Sequence, residues 1–216
     1  MSKLDKTIDT CLSAGTRFDI KEIAKAKKYL KKYDNRYDLP PHLTYAISPF
    51  PEKNLKKVEK ESDKYFKNLK SFSFKIGKLE FDERKNFFYL PIKSKKVMRI
   101  HKDMLELLNK YREGYIREKD LERIEKGLLN PEEIKLIKKY GYFRVLDNFI
   151  PHLTIGNVEA KKEEIVNIKN ELIEILKNLS KRSIQVNEVR VHLHTDSKIQ
   201  SKMKSIWIKR YQLFIE

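Results

Sequence analysis

The 216-residue sequence is poor in the residues that build cross-links, flexible repeats and membrane spans. It has one cysteine, Cys11, so no disulfide forms within the chain, which suits a reducing cytoplasm. Six glycines and seven prolines exclude a collagen-like or low-complexity chain. The first residues lack the apolar region of a signal peptide, and no apolar run approaches the roughly 20 residues that span a bilayer. We therefore expect a soluble, cytoplasmic protein that has no membrane partner.

What is abundant is positive charge. Lysine and arginine number 48 against 31 aspartates and glutamates, which gives a formal net charge of +17. A positive field attracts polyanions, so RNA, DNA or a small phosphorylated ligand is the expected partner. A lysine-rich solvated surface without any specific partner explains the charge alone equally well. The 40% of hydrophobic residues provide a core for one domain or for two small lobes.

One short phrase occurs twice in the chain. Residues 41–45 read Pro-His-Leu-Thr-Tyr, and residues 151–155 read Pro-His-Leu-Thr-Ile. The whole sequence contains five histidines, so two of them in one local context indicate a shared role. In a strand, residues i and i+2 point to the same face, so each histidine and its threonine face one side. Two such strands placed together would present two imidazoles and two hydroxyls to one cleft.

This set of side chains is suited to chemistry on a phosphate. His42 and His152 could divide the roles of general acid and general base, because imidazole gains and loses a proton near neutral pH. Thr44 and Thr154 could donate hydrogen bonds to the non-bridging oxygens, where charge builds in the transition state. The sequence does not decide which histidine is the acid.

A similar order of elements follows each motif. A helix and two strands are predicted over residues 55–69, 72–81 and 86–92 after the first, and over 161–179, 184–194 and 205–214 after the second. A strand over residues 7–14 and a helix over 19–33 precede the first motif. The stretch between the two runs, residues 100–140, is helical and interrupted near Gly127 and before Pro131. The pattern indicates an α+β protein with two similar lobes.

The paired motifs resemble the His-x-Thr-hydrophobic repeat that defines the 2H phosphoesterase superfamily, which includes 2′-5′ RNA ligase-like proteins and cyclic phosphodiesterases. The resemblance covers nearly the whole chain. It implies a bilobal, pseudo-two-fold α+β fold, with two antiparallel sheets around a central cleft and helices outside. It also implies a phosphodiesterase that needs no metal or other cofactor and acts on a 2′,3′-cyclic phosphate or a 2′-5′ or cyclic oligonucleotide linkage. We expect one bilobal domain over residues 1–216, with a helical insertion around 101–147, and a monomer.

The middle of the chain resembles a phosphonate-operon branch of the same superfamily. The similar segments are Tyr111-Arg112, 129–132, 140–142 and 149–152. That branch usually has tryptophan where this chain has Tyr140, and a Pro-Tyr pair where it has Phe143-Arg144. The resemblance therefore implies the insertion but leaves the substrate open.

Further residues are candidates for substrate binding. Tyr89, in the strand that follows the first motif, could stack on a base or simply pack in the core. Tyr142 and Arg144 lie just upstream of the second motif and are candidate substrate contacts.

A third group of candidates alternates along a late strand. Arg190, His192 and His194 share one strand face, which either lines the cleft and binds phosphates or is simply exposed. A His-x-His pair can also bind zinc, but few carboxylates or thiols are nearby to complete a site.

Three substrate types remain open within the enzyme class: RNA ends with a cyclic phosphate, a nucleotide second messenger and a small sugar cyclic phosphate. The broad positive charge argues mildly against the last of these. An alternative class is a non-catalytic RNA-binding module that uses the same basic cleft. A zinc hydrolase is a third.

Overall fold

The computed structural model describes residues 10–33, 40–179, 181–195 and 205–214. In these ranges the elements, in chain order, are β1 (Thr10–Arg17), α1 (Lys21–Leu30), β2 (His42–Phe50), α2 (Leu55–Phe66), β3 (Phe72–Ile76), β4 (Glu80–Asp82), β5 (Phe87–Lys93), α3 (Lys95–Arg112), α4 (Glu118–Glu125), α5 (Pro131–Tyr140), β6 (His152–Asn157), α6 (Lys162–Leu176), β7 (Ser183–Val186), β8 (Glu188–Thr195) and β9 (Ser205–Gln212). None of the helices within the described ranges has the length and apolar character needed to cross a membrane.

The strands form one curled antiparallel sheet with two matching halves. Their order is β7-β3-β5-β6-β2-β1-β8-β9, and β4 pairs with the first three residues of β5. The two motif strands, β2 and β6, are neighbours at the centre and meet through the pair Leu43 and Leu153. On either side of this junction lie β1, β8 and β9, and β5, β3 and β7. The expected α+β class is confirmed, and the two antiparallel sheets that were expected are joined through β2 and β6 into this one curled sheet.

Alternation along the motif strands separates the core from the cleft. Leu43, Tyr45, Leu153 and Ile155 are fully buried. Helix α3 packs on β2, and α1 packs on β6 and on α6, so the helices cover the core side of the sheet. The residues between these apolar positions, which include both histidines, are left on the opposite face.

The predicted strands differ from the observed ones where the chain changes its pairing partner. Residues 72–81 were predicted as one strand but form β3, which pairs with β7 and β5, and β4, which pairs with β5 alone, and residues 77–79 between them belong to no strand. Residues 184–194 likewise form β7 and β8, which are separated at Asn187. Part of the predicted first strand, residues 7–9, lies outside the described residues, and β1 continues to Arg17. Hydrophobic alternation carries no information about which strand is the partner, so it misses such breaks.

Helices α3, α4 and α5 lie between β5 and β6. Helix α5 begins with a capping box, in which Asn130 and Glu133 bond each other's backbone N–H groups and Pro131 occupies the first turn. Helix α4 is anchored by Asp120, whose fully buried carboxylate pairs with Arg117 and Arg123. These contacts fix the segment that forms one wall of the cleft.

Candidate active site

The junction of β2 and β6 brings the two motifs together. Because the strands are antiparallel and Leu43 pairs with Leu153, each histidine lies beside the threonine of the other motif. His42, Thr44, His152 and Thr154 all line one cavity of about 620 Å³. Within the described chain neither threonine hydroxyl has a hydrogen-bond partner, so both can serve a ligand in this cavity. The two imidazoles and two hydroxyls thus share one cleft, as the repeated sequence predicts.

Each motif histidine is held by a carbonyl group two residues upstream. His42 Nδ1 lies 2.9 Å from the carbonyl oxygen of Pro40, and His152 Nδ1 lies 2.6 Å from that of Ile150. A carbonyl oxygen only accepts, so Nδ1 carries the hydrogen in both rings. In the neutral form Nε2 is therefore the basic nitrogen of both imidazoles.

The electrostatic environment favours neutral imidazoles. Burial lowers the pKa of His42 below its ordinary value of 6.5, and the charges of Arg17 and Lys27 add to this effect. Burial likewise lowers the pKa of His152, and positive charge on Arg144 and Lys85 lowers it further. The hydrogen bond to the upstream carbonyl opposes the shift in both cases. Both rings are thus mainly neutral, and able to accept a proton, at neutral pH.

These shifts predict a loss of stability in mild acid. Burial also lowers the pKa of His101, so three histidines resist protonation in the folded state. As the pH falls through 6.5, the unfolded chain takes up protons that the folded chain does not, and the free energy of unfolding decreases. Urea unfolding at pH 7.5, 6.5 and 5.5 measures this directly. The pKa values of Asp63 and Glu133 are lowered from 3.8 and 4.5, so these carboxyl groups titrate below that window.

A variant makes the test specific. His152→Asn should reduce the pH dependence of the unfolding free energy, because it removes one of the three groups. A free energy that stays constant or increases from pH 7.5 to 5.5 would contradict the burial of these imidazoles.

Two aromatic residues of β5 pack around His152. The ring centroid of Tyr89 lies 5.4 Å from that of His152 in an edge-on arrangement, and that of Phe87 lies 5.7 Å away. The Tyr89 hydroxyl donates a 2.6 Å hydrogen bond to Glu80. Burial and Glu80 raise the pKa of Tyr89 to about 12, so it is no acid–base group at neutral pH. Both rings line the cavity, so Tyr89 remains a candidate for stacking on a base.

His101 of α3 ties the cavity wall to the first motif strand. Its Nδ1 lies 2.8 Å from the carbonyl oxygen of Tyr45, and its Nε2 accepts a 3.0 Å hydrogen bond from the backbone N–H of Leu146. Its ring stacks on Phe149, with centroids 3.8 Å apart and planes 10° from parallel. The next residue, Ile150, provides the carbonyl that holds His152. His101 thus links the two motifs through the core side of the cavity.

The insertion provides a second, basic side of the cavity. Tyr142 and Arg144, both predicted as substrate contacts, line it together with Phe143. Arg144 donates a 3.1 Å hydrogen bond to Asp82, and the Arg117 guanidinium lies 5.1 Å from the ring centre of Tyr142. Asp82, Arg84 and Lys85, which lie between two predicted strands and were not among the candidate residues, also line the cavity.

The candidates on β8 are not part of this cavity lining. Arg190 donates a 2.6 Å hydrogen bond to Glu188 of the same strand, and His192 lies opposite Ser13 of β1. His194 belongs to β8, but its side chain is outside the described residues. In the described part of the chain no three histidine, cysteine or acidic side chains are grouped to hold a metal ion.

Comparison with protein families decides the relationship that the motifs and the junction indicate. The model of the 2′-5′ RNA ligase superfamily matches residues 16–198, a range that includes both motifs and the insertion. The chain belongs to this superfamily. The match confirms the resemblance to 2H phosphoesterases, the wider group in which 2′-5′ RNA ligase-like proteins are placed. A search of curated proteins gave no significant match.

Solved structures share the fold at low sequence identity. E. coli LigT in complex with 3′-AMP has a TM-score of 0.55 and 11% identity, covering 95% of this chain and 98% of LigT. LigT in complex with NADP⁺ has a TM-score of 0.51 and 10% identity, with the same shares covered. TT0787 of Thermus thermophilus has a TM-score of 0.52 and 11% identity, covering 95% of this chain and 99% of that protein. The 2′-5′ RNA ligase superfamily chain therefore has the LigT-like fold.

Proposed function

We propose that this 2′-5′ RNA ligase superfamily member is a metal-independent phosphodiesterase acting on a 2′,3′-cyclic phosphate or a 2′-5′ or cyclic oligonucleotide linkage. The observation that carries the proposal is the pair of carbonyl-held histidines, with the two threonines, in one cavity. Two imidazoles are sufficient for acid and base roles without another catalyst.

Hydrolysis of a cyclic phosphate assigns a task to each of the four residues. Nε2 of one neutral histidine takes a proton from water as the water oxygen forms a bond to phosphorus. The other histidine, protonated, donates its proton to the ribose oxygen as the bond between that oxygen and phosphorus breaks. Thr44 and Thr154 donate hydrogen bonds to the non-bridging oxygens, whose negative charge increases in the transition state. The roles of His42 and His152 exchange if the reaction runs in the opposite direction.

The surroundings of the cleft favour a nucleotide substrate. Phe87 and Tyr89 offer aromatic surface beside His152, and aromatic rings stack on bases. LigT, which shares the fold, has been crystallised with 3′-AMP, a ribonucleotide with its phosphate on the ribose ring. The formal net charge of +17 would increase the encounter rate with such an anion.

A panel of substrates tests the proposal. Purified protein with EDTA is incubated with 2′,3′-cyclic nucleotides, 2′-5′ and 3′-5′ oligoadenylates, and cyclic di- and trinucleotides, and the products are separated by chromatography. Turnover of a 2′,3′-cyclic phosphate, a 2′-5′ linkage or a cyclic oligonucleotide in EDTA is expected. Turnover only of the linear 3′-5′ oligoadenylates, loss of turnover in EDTA, or no turnover at all would contradict the proposal.

A non-catalytic RNA-binding module is the second candidate, and a row of basic residues favours it. Gly15 of β1 pairs with Thr44 on one side and with Arg190 on the other, and Arg190 pairs with Arg210 of β9. Paired residues share a sheet face, so Arg190, which also pairs with Glu188, and the exposed Arg210 extend positive charge from Thr44 along that face. RNA binding with a steep salt dependence, but without turnover of any panel member, would favour this function.

A further inference from the structure

Three cations, Arg84, Lys85 and Arg144, line the far side of the cavity, and ion pairs with carboxylates engage two of them. Asp120 pairs with both Arg117 and Arg123. Glu133 pairs with Arg84, and Asp82 pairs with Arg144. The three carboxylates thus already have partners among the five cations of this region, which are Arg84, Lys85, Arg117, Arg123 and Arg144. Asp147 also lines the cavity, but within the described residues it forms no ion pair with any of them.

Lys85 is the one cation of this group that takes part in none of these ion pairs. Its ammonium group forms no ion pair with a described residue, and it lines the cavity with Arg144. Nζ of Lys85 lies 5.8 Å from the ring centre of Phe143, and the guanidinium carbons of Arg123 and Arg144 lie 5.8 and 5.7 Å from the same centre. Three cations therefore surround one buried ring, and two of them face the cavity.

The backbone that carries Lys85 is fixed in this position. Its N–H donates to the Asp82 side chain at 3.1 Å and to the Asp82 carbonyl oxygen at 3.2 Å, which closes the turn between β4 and β5. The Asn157 side chain donates to the Lys85 carbonyl oxygen at 3.3 Å. The turn is thus attached to the end of β6, the strand that carries His152.

The electrostatics of Lys85 favour a nearby anion. Its side chain is exposed, yet burial of its ammonium, followed by repulsion from Arg144 and Arg123, lowers the pKa of Lys85 to about 8, while the Asp82 carboxylate acts in the opposite direction. The same two cavity cations, Arg144 and Lys85, act on His152. An anion near Lys85 and Arg144 would relieve their repulsion.

We propose that Lys85 and Arg144 form a second phosphate-binding site in the cavity, separate from the scissile phosphate held between the two motifs. This inference rests on the proposed function and narrows its substrate class. The substrate would be a nucleotide or oligonucleotide with two phosphates, one that reacts and a second elsewhere in the same substrate molecule. The second phosphate comes either from a terminal 5′-phosphate or from the next phosphodiester of an oligonucleotide.

Binding of three adenosine ligands tests the site without requiring turnover. The ligands are 3′-AMP with one phosphate, adenosine 3′,5′-bisphosphate with a terminal second phosphate, and the dinucleotide ApAp with a 5′-hydroxyl and an internal second phosphate. Isothermal titration calorimetry at low salt should show that at least one of the last two binds about tenfold or more tightly than 3′-AMP. The ligand that gains affinity identifies the source of the second phosphate.

Substitution at Lys85 assigns the gain to this site. Lys85→Met should lower the affinity ratio between the better two-phosphate ligand and 3′-AMP to between about one and three, and should leave the affinity for 3′-AMP nearly unchanged. Lys85→Arg should retain most of this affinity ratio. Lys93→Met is the matched control, because it removes one lysine from the far end of β5, outside the cavity lining.

The inference is overturned if neither ligand gains affinity, if none of the three binds, or if Lys85→Met and Lys93→Met have the same effect. The substrate panel judges the phosphodiesterase separately. If the protein turns over a panel substrate but the calorimetry shows no affinity gain from a second phosphate, the second site is excluded and the proposed function stands.

Discussion

Replacing His42 or His152 by alanine is expected to lower kcat/KM for the panel substrate that the protein turns over by roughly 10²–10⁴-fold. Each substitution removes either the base or the acid from the cavity. Among the described residues, the one further imidazole that lines the cavity is that of His101, and it does not replace the lost ring because both of its nitrogens are already hydrogen-bonded. The variant that lacks both histidines should be little worse than either single variant, because the two rings act as one unit.

The controls separate chemistry from folding. Both motif histidines lie on the cleft face rather than in the core, so the alanine variants should unfold near the wild-type temperature. Gln185→Ala, an exposed change on β7 outside the cavity lining, should leave kcat/KM within about twofold. Retention of more than a tenth of the activity in either histidine variant would show that this histidine is not a catalytic group.

Gly15→Ala is expected to cause a large loss of stability, because the added methyl group would enter the close contact between β1 and β2. A Cβ at Gly15 would lie 2.4 Å from the carbonyl oxygen of Leu43 and 3.3 Å from the Cα of Thr44. Both are backbone atoms of the first motif, so the clash can be relieved only by moving β1 away from β2. We expect a loss of about 2–3 kcal/mol, which thermal unfolding would register as a decrease of roughly 5–10 °C in Tm.

The same change should also affect the site, because Gly15 pairs with Thr44 at a bulge in the register of β1 and β2. The matched control is Gly127→Ala, where a Cβ meets nothing within 4 Å and only the positive φ of 64° is unfavourable. Gly127→Ala should lower the free energy of unfolding by about 1 kcal/mol and leave the cleft unaltered. Equal losses in the two variants would contradict the close approach at Gly15.

The part of the site that the two motifs form, His42, Thr44, His152 and Thr154, could be predicted from the sequence because it depends on local strand geometry. The period of two in a strand places each histidine with its threonine, and the repeated phrase indicates that the two strands serve one cleft. The pairing of Leu43 with Leu153 then provides the juxtaposition. Tyr89 was placed by similar reasoning on its strand, although the contact of its hydroxyl with Glu80 was not foreseen.

The other half depends on contacts between residues that are distant in sequence, and no local pattern reports these. Lys85 lies in a turn that reads as a solvated polar connection, and it meets Phe143 only because the insertion folds against β5. The helical stretch was predicted to begin at residue 100, whereas α3 begins earlier, after the Ser94 cap, and places His101 mid-helix against Tyr45. The charge pairs of Asp120 and Glu133 determine which cations remain for a ligand, and they too depend on tertiary structure.

The most direct test of the two-histidine account is the pH dependence of kcat/KM in the wild type and in the His42→Ala and His152→Ala variants. Catalysis requires one neutral and one protonated ring, so the wild type should give a bell-shaped profile. Because burial lowers the pKa of both rings, its maximum is expected below pH 6.5. Each variant should lose one limb of the bell, and the two variants should lose opposite limbs. A bell that survives unchanged in both variants, or a maximum in the alkaline range, would contradict acid–base catalysis by this pair.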